Sequence, residues 1–127
     1  MKAVGKVVFV ALALAVASLQ PVLAHHSGAG FSKDVAEISG TVKEFQFTNP
    51  HSWIQVNVAD ASGKIVEWSI EWGSPNQLGR EGYRPSTFAP GTKVTMKVRP
   101  MANGAPVAGF IAAKMPDGKT IGKWDGE

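Results

Sequence analysis

The chain has no cysteine, a single tyrosine and only three histidines in 127 residues. Without cysteine there is neither a disulfide framework nor a thiolate metal site, so stability rests on an ordinary apolar core even in a compartment where bridges persist. The familiar catalytic signatures are missing as well: there is no Gly-x-Ser-x-Gly elbow, no His-Glu-x-x-His helix and no Gly-x-Gly-x-x-Gly turn. Gly118-Lys119-Thr120 ends like a phosphate loop, but Ala113 stands where the first glycine belongs and too little chain follows for a helix. It reads as a turn. Charge of one sign is lacking too. The formal +3 includes Lys2 and Lys6, and without them the 13 basic side chains become 11 against 10 acidic ones. No basic run remains to neutralise a row of phosphates, which argues against nucleic acid as a partner.

No apolar run is long enough to span a membrane, which takes about 20 residues. The longest, Val7 to Ala17, follows Lys2 and Lys6 and is broken by Ser18, Gln20 and Pro21. A charged start, a short apolar stretch and the small-residue end Val22-Leu23-Ala24 make residues 1–24 a cleavable signal peptide. Ala15-Val16-Ala17 is the rival cleavage site, but it lies inside the apolar run. Cleavage after Ala24 leaves 103 of the 127 residues, one domain's worth, in the periplasm or secreted, with no membrane anchor. Residues 25–36 then form an N-terminal arm and 37–127 a β-barrel domain.

The remaining chain alternates like strands separated by glycine and proline. Strands are expected at Glu37–Phe47, Trp53–Val58, Ile65–Trp72, Lys93–Arg99, Ala108–Met115 and about Thr120–Trp124. Gly40 suggests a bulge or bend in the first, and Asp60-Ala61-Ser62-Gly63 a hairpin between the second and third. Ile54, Val56, Val58, Val66, Trp68, Ile70, Val94, Met96 and Val98 share the inward period. Ser74-Pro75 opens a short helix or turn, ended by Gly79 or Gly82. Three strands, a helical connection, then two or three strands give an all-β, OB-like barrel of five or six strands. An immunoglobulin-like sandwich is the alternative, though it wants about seven strands and no central helix.

Chemistry falls to the histidines, His25, His26 and His51. After cleavage His25 is the first residue, so its α-amine and ring Nδ1 chelate one metal ion and a second imidazole completes a T-shaped set of three nitrogens, a histidine brace. Such a set suits Cu(II), which also heads the affinity order of divalent first-row metals. His51 or His26 supplies the third nitrogen. If His25 is not the brace, His26 at the second position still binds through the amine, a deprotonated amide and its ring. Met96, Met101 and Met115 are candidate soft ligands but read as packing residues. Glu67 and Glu71 share a strand face that reads as solvated. Trp53, Trp72 and Tyr83 form a second candidate set, an aromatic face for a small ligand.

His25-His26-Ser27 and Phe31, Gly40-Thr41-Val42, Asn49-Pro50-His51-Ser52-Trp53, Glu67-Trp68-Ser69-Ile70-Glu71 and Pro90-Gly91-Thr92-Lys93-Val94 together resemble a family of small exported bacterial proteins of uncharacterised function. The resemblance implies a periplasmic domain whose signature is the histidine pair and the Asn-Pro-His-x-Trp segment, and it brings no activity. Ser32 and Lys33 stand where an acidic residue often follows the phenylalanine. The expectation is thus a periplasmic copper-binding protein for storage, delivery or sensing, partnered by a metal ion and a periplasmic protein. Its rival is a metal-free module holding a small ligand or partner on the tryptophan face. A copper oxidase would need an open coordination position and a reducing partner.

Overall fold

The structure, a computed structural model, describes residues 30–125. The expected signal peptide and both His25 and His26 lie outside the described residues. Among the described residues six strands follow one another: β1 Ala36–Gln46, β2 Trp53–Ala59, β3 Ile65–Glu71, β4 Lys93–Pro100, β5 Val107–Lys114 and β6 Thr120–Gly122. A helix α1, Pro75–Arg80, and a 3-10 turn, Pro85–Phe88, fill the connection between β3 and β4. The sheet order is β3-β2-β1-β4-β5-β6, and a further pairing of β3 with β5 closes the first five strands on themselves. That closing pair is parallel, and the others are antiparallel. The fold is therefore all-β, a closed five-stranded mixed barrel with one extra strand, as the strand order predicts. One sheet curled on itself replaces the two facing layers of the sandwich alternative.

Local chemistry sets the turns. Between β2 and β3, Asp60 Oδ1 accepts from the Ser62 amide at 2.8 Å, the Ser62 hydroxyl at 2.7 Å and the Lys64 amide at 3.0 Å. These bonds, the Ser62 hydroxyl's foremost, favour the ionised form and pull the Asp60 carboxyl below its ordinary value. Ser74 caps α1 by accepting from the Gln77 amide, Pro75 occupies its first turn, and Gly82 follows at φ 92°, the left-handed conformation that glycine enters without strain. Leu78 of this helix is fully buried, with its Cδ2 close to Gly73.

The inward register holds. Ile54, Val56, Ile70, Met96 and Val98 are fully buried and Val94 nearly so, while Val58 and Trp68 are partly buried and packed on that core. Val66 is only half-buried. It sits at the hairpin end of β3, whereas β5 covers β3 only from Ser69 to Glu71. Phe88 is the largest fully buried side chain, yet periodicity overlooks it because it stands alone in a 3-10 turn. Its ring lies 5.4 Å from Phe45, 5.7 Å from Trp72 and 6.0 Å from Phe110, so these four aromatic side chains fill one end of the barrel.

Gly40 needs a different explanation from the one its sequence suggests. The register slip in β1 lies between Val42 and Glu44, so the bulge is at Lys43. At Gly40 the constraint is close approach: a Cβ there would stand 2.2 Å from the Asn57 carbonyl oxygen and 3.0 Å from Val56 Cγ1. Gly40→Ala should accordingly lower stability by about 1–3 kcal/mol or more, since backbone has to move. Gly79→Ala, in α1 with nothing within 4 Å of the new methyl, should raise it by about 0.4–1 kcal/mol. Denaturant midpoints of the two variants check both signs.

Candidate functional site

The β2–β3 ladder pairs Trp53 with Glu71 at its last step, and two more backbone bonds carry it onward. Ser52 N–H donates to the Gly73 carbonyl at 2.9 Å, and Trp72 N–H to the Ser52 carbonyl at 2.9 Å. Side chains alternate along a strand, so His51, Trp53 and Glu71 lie on the outer face while Ser52, Ile70 and Trp72 turn inward. The Thr48 hydroxyl holds the approach to β2 by donating to the His51 carbonyl at 3.2 Å. The consequence is that His51 Nδ1 stands 2.8 Å from Glu71 Oε1.

An ionised carboxylate can only accept, so a nitrogen this close to it must carry the proton between them. Whether the ring is neutral or charged, Nδ1 is the protonated position. The other ring nitrogen, Nε2, is therefore the one that offers a lone pair. Glu71 is not on an open solvated face, as its alternation suggests: its side chain is 13% exposed. Glu67, two residues earlier, does face solvent and pairs with Lys43 at 2.6 Å. Glu67 raises the Lys43 amine above its ordinary value, through the hydrogen bond first and its charge second.

His51 and Glu71 open into a cleft of about 250 Å³ whose other walls include Phe31, Trp72, Gln77 and Phe110. Phe31 comes from the N-terminal arm. The arm joins the barrel by a bridge from Phe31 to Met101 and by the Ser32 amide donating to the Pro100 carbonyl at 2.7 Å. The Phe31 ring then lies over Gly109, where an added Cβ would meet its Cδ2 at 3.2 Å. Glycine at 109 is what admits the ring. Phe31 and Gly109 both escape a search for chemistry-bearing side chains, since neither carries any.

The aromatic set does not assemble as one face. Trp72 and Tyr83 meet at 4.8 Å, and Trp72 meets Phe110 at 4.5 Å, whereas Trp53 projects on the opposite side of the sheet, across from Glu71. Met96 is fully buried, and Met115 packs on the core. Met101 packs near Gly30, where an added Cβ would lie 3.1 Å from its Cε. Ser52 Oγ is buried with no hydrogen-bond partner, and its inward position keeps it from acting with His51. Among the described residues, no group of three or more His, Asp or Glu could hold a metal ion.

The family comparison covers residues 12–110, from the apolar run through β4 and into β5 as far as Phe110. The chain belongs to a family of unknown function, DUF6152. No curated protein and no solved structure matches it. In this DUF6152 protein the matched segment contains every residue of the His51 cleft, from Phe31 to Phe110.

The pairing of His51 with Glu71 can be measured directly. Glu71→Ala and His51→Ala should each lower stability, by about 1–2 kcal/mol, because each strands its partner in a partly buried site. The double variant should cost less than the two together, with a coupling of about 0.5–2 kcal/mol. Additive losses in a denaturant double-mutant cycle would show that the two side chains do not interact.

Proposed function

We propose that this protein is exported, cut after Ala24, and binds one copper ion for storage, delivery or sensing. In this reading the α-amine and ring of the new first residue, His25, form a chelate and His51 Nε2 supplies the third nitrogen, with His26 beside them. The observation that carries it is the geometry of His51. Glu71 occupies Nδ1 and leaves Nε2 as the donor, the arrangement in which a carboxylate fixes the orientation and tautomer of a metal-binding histidine. That donor opens on a cleft walled by Phe31, only six residues along the chain from His25. Extended chain of that length reaches at most about 20 Å, a span that allows the amine to come to the cleft. Among the described residues no group of three or more His, Asp or Glu could hold a metal ion, so this reading takes its other ligands from His25 and His26.

A second reading, a metal-free module, draws support from the aromatic side of the same cleft, where Trp72 and Phe110 stand 4.5 Å apart. A small ring-shaped ligand would lie against Trp72 there, with Tyr83 behind it.

The two readings part on copper. Residues 25–127 should take up one Cu(II) and give an electron spin resonance spectrum of a tetragonal, nitrogen-rich site. One residue added ahead of His25 moves the amine out of chelate reach while leaving all three rings. That extension and His51→Ala should each weaken binding greatly, and Glu71→Gln by about 10–100-fold. Affinity should also fall steeply from neutral pH toward 5, because protons compete for the amine, whose ordinary pKa is about 7.7–8.0, and for the imidazoles. Equal binding by the parent, the extended chain and His51→Ala would rule the brace out and leave the metal-free reading in front.

A further inference from the structure

Sequence disperses the cations of this chain, but the fold gathers four of them on one outer face. Lys97 and Arg99 point outward from β4, Lys114 ends β5 and Lys123 follows β6. At their centre is Trp124. Lys97 Nζ stands 4.8 Å and Lys114 Nζ 4.3 Å from the centroid of its ring, and Lys97 also donates to the Trp124 carbonyl. The indole is thus pinned to the barrel wall by two ammonium groups, each attracted by its π-face. Beside it lies a shallow cleft of about 430 Å³ with Val35 and Ile111 among its walls. Val35 is 51% exposed, one of two large apolar side chains left so open among the described residues. Arg99 fixes the arm that carries Val35, donating to the Lys33 carbonyl at 2.6 Å.

Two carboxylates temper this charge, Asp125 in the cleft and Glu37, which faces Lys97 across the β1–β4 ladder. Four cations against two anions leave the patch positive, in a chain that is almost neutral once Lys2 and Lys6 are set aside.

We infer that this face is a docking surface for an anionic phospholipid bilayer, reached peripherally and reversibly. The residue types decide between this and an acidic protein. Three of the four cations are lysines, which are depleted from the cores of protein interfaces, and which carry a compact, hydrated charge on a flexible stem rather than the bidentate fork of arginine. The apolar floor of Val35, Ile111 and Trp124 is small beside the roughly 800 Å² that each partner of a stable protein complex buries. A tryptophan and an aliphatic side chain ringed by lysines match the headgroup boundary, where indoles settle and lysine stems lie along apolar surface. Each cation near an anionic leaflet multiplies partitioning about fivefold, and the net two of this patch about 25-fold. This inference does not depend on copper.

Sedimentation of residues 25–127, which contain the whole barrel, with lipid vesicles tests it. Vesicles of phosphatidylcholine with about 30% phosphatidylglycerol should retain the protein on the order of 25-fold better than phosphatidylcholine alone, and high salt should abolish the difference. Lys123→Glu should cut anionic binding by about 25-fold. Val35→Asp should reduce it as well. Lys64→Glu in the β2–β3 hairpin makes the same change of net charge outside the patch and should have little effect; circular dichroism confirms that each variant is folded. Equal retention by neutral and anionic vesicles overturns the inference, as does an equal loss in Lys64→Glu and Lys123→Glu. Capture by polyaspartate with no retention by anionic vesicles overturns it in favour of an acidic protein partner.

Discussion

A five-stranded sheet closes only if two strands distant in sequence meet, and in this chain they meet through a short parallel ladder. Ser69, Ile70 and Glu71 of β3 pair with Val107, Ala108 and Gly109 of β5. The same three steps that close the barrel also set Glu71 beside Gly109. Because residue 109 has no side chain, the Phe31 ring lies on that spot, and the N-terminal arm runs past the His51 cleft rather than elsewhere on the barrel. Closure and cleft are therefore one event. A strand too short to reach Glu71, or a bulky residue at 109, would damage both.

Much of this is legible in the sequence. Alternation gives the inward register of β2, β3 and β4, because strands with one wet face must repeat every second residue. Ser74-Pro75 marks the helix start through its hydroxyl cap. What alternation cannot express is which of two similar outward residues lies under another element. Glu67 and Glu71 look alike along β3, but only Glu71 stands at the closing ladder, where His51, the α1 region and the arm converge. The hairpin alone does not supply this: a turn of Asp60–Gly63 would pair Trp53 with Ile70, and only with Lys64 as a fifth loop residue does Trp53 face Glu71 and His51 lie diagonal to that carboxylate on the same face. Phe88 and the Gly40 contact left no trace in the alternation either. One is a lone aromatic in an irregular turn, and the other is a glycine demanded by a neighbouring strand's backbone.

The cationic face shows the opposite limit. No window of the sequence is basic enough to suggest it, since Lys97, Arg99, Lys114 and Lys123 belong to different elements. Antiparallel pairing of β4 with β5 and of β5 with β6 brings them around Trp124. Ile111 and the residues after it also lie beyond the segment matched to the family, which ends at Phe110. The Trp124 face is therefore divided, with Val35, Lys97 and Arg99 inside the matched segment and Ile111, Lys114, Lys123 and Trp124 beyond it.

Long-range proton–nitrogen NMR of the histidine rings tests most directly the proposal that Glu71 presents His51 Nε2 to a copper ion. In the metal-free protein His51 should show a protonated Nδ1. On adding one equivalent of Cu(II), the ring signals of His51 should broaden beyond detection while those of residues at the Asp60 hairpin persist. A His51 ring protonated at Nε2 alone in the metal-free protein, or His51 signals unchanged after one equivalent of bound Cu(II), would contradict the account.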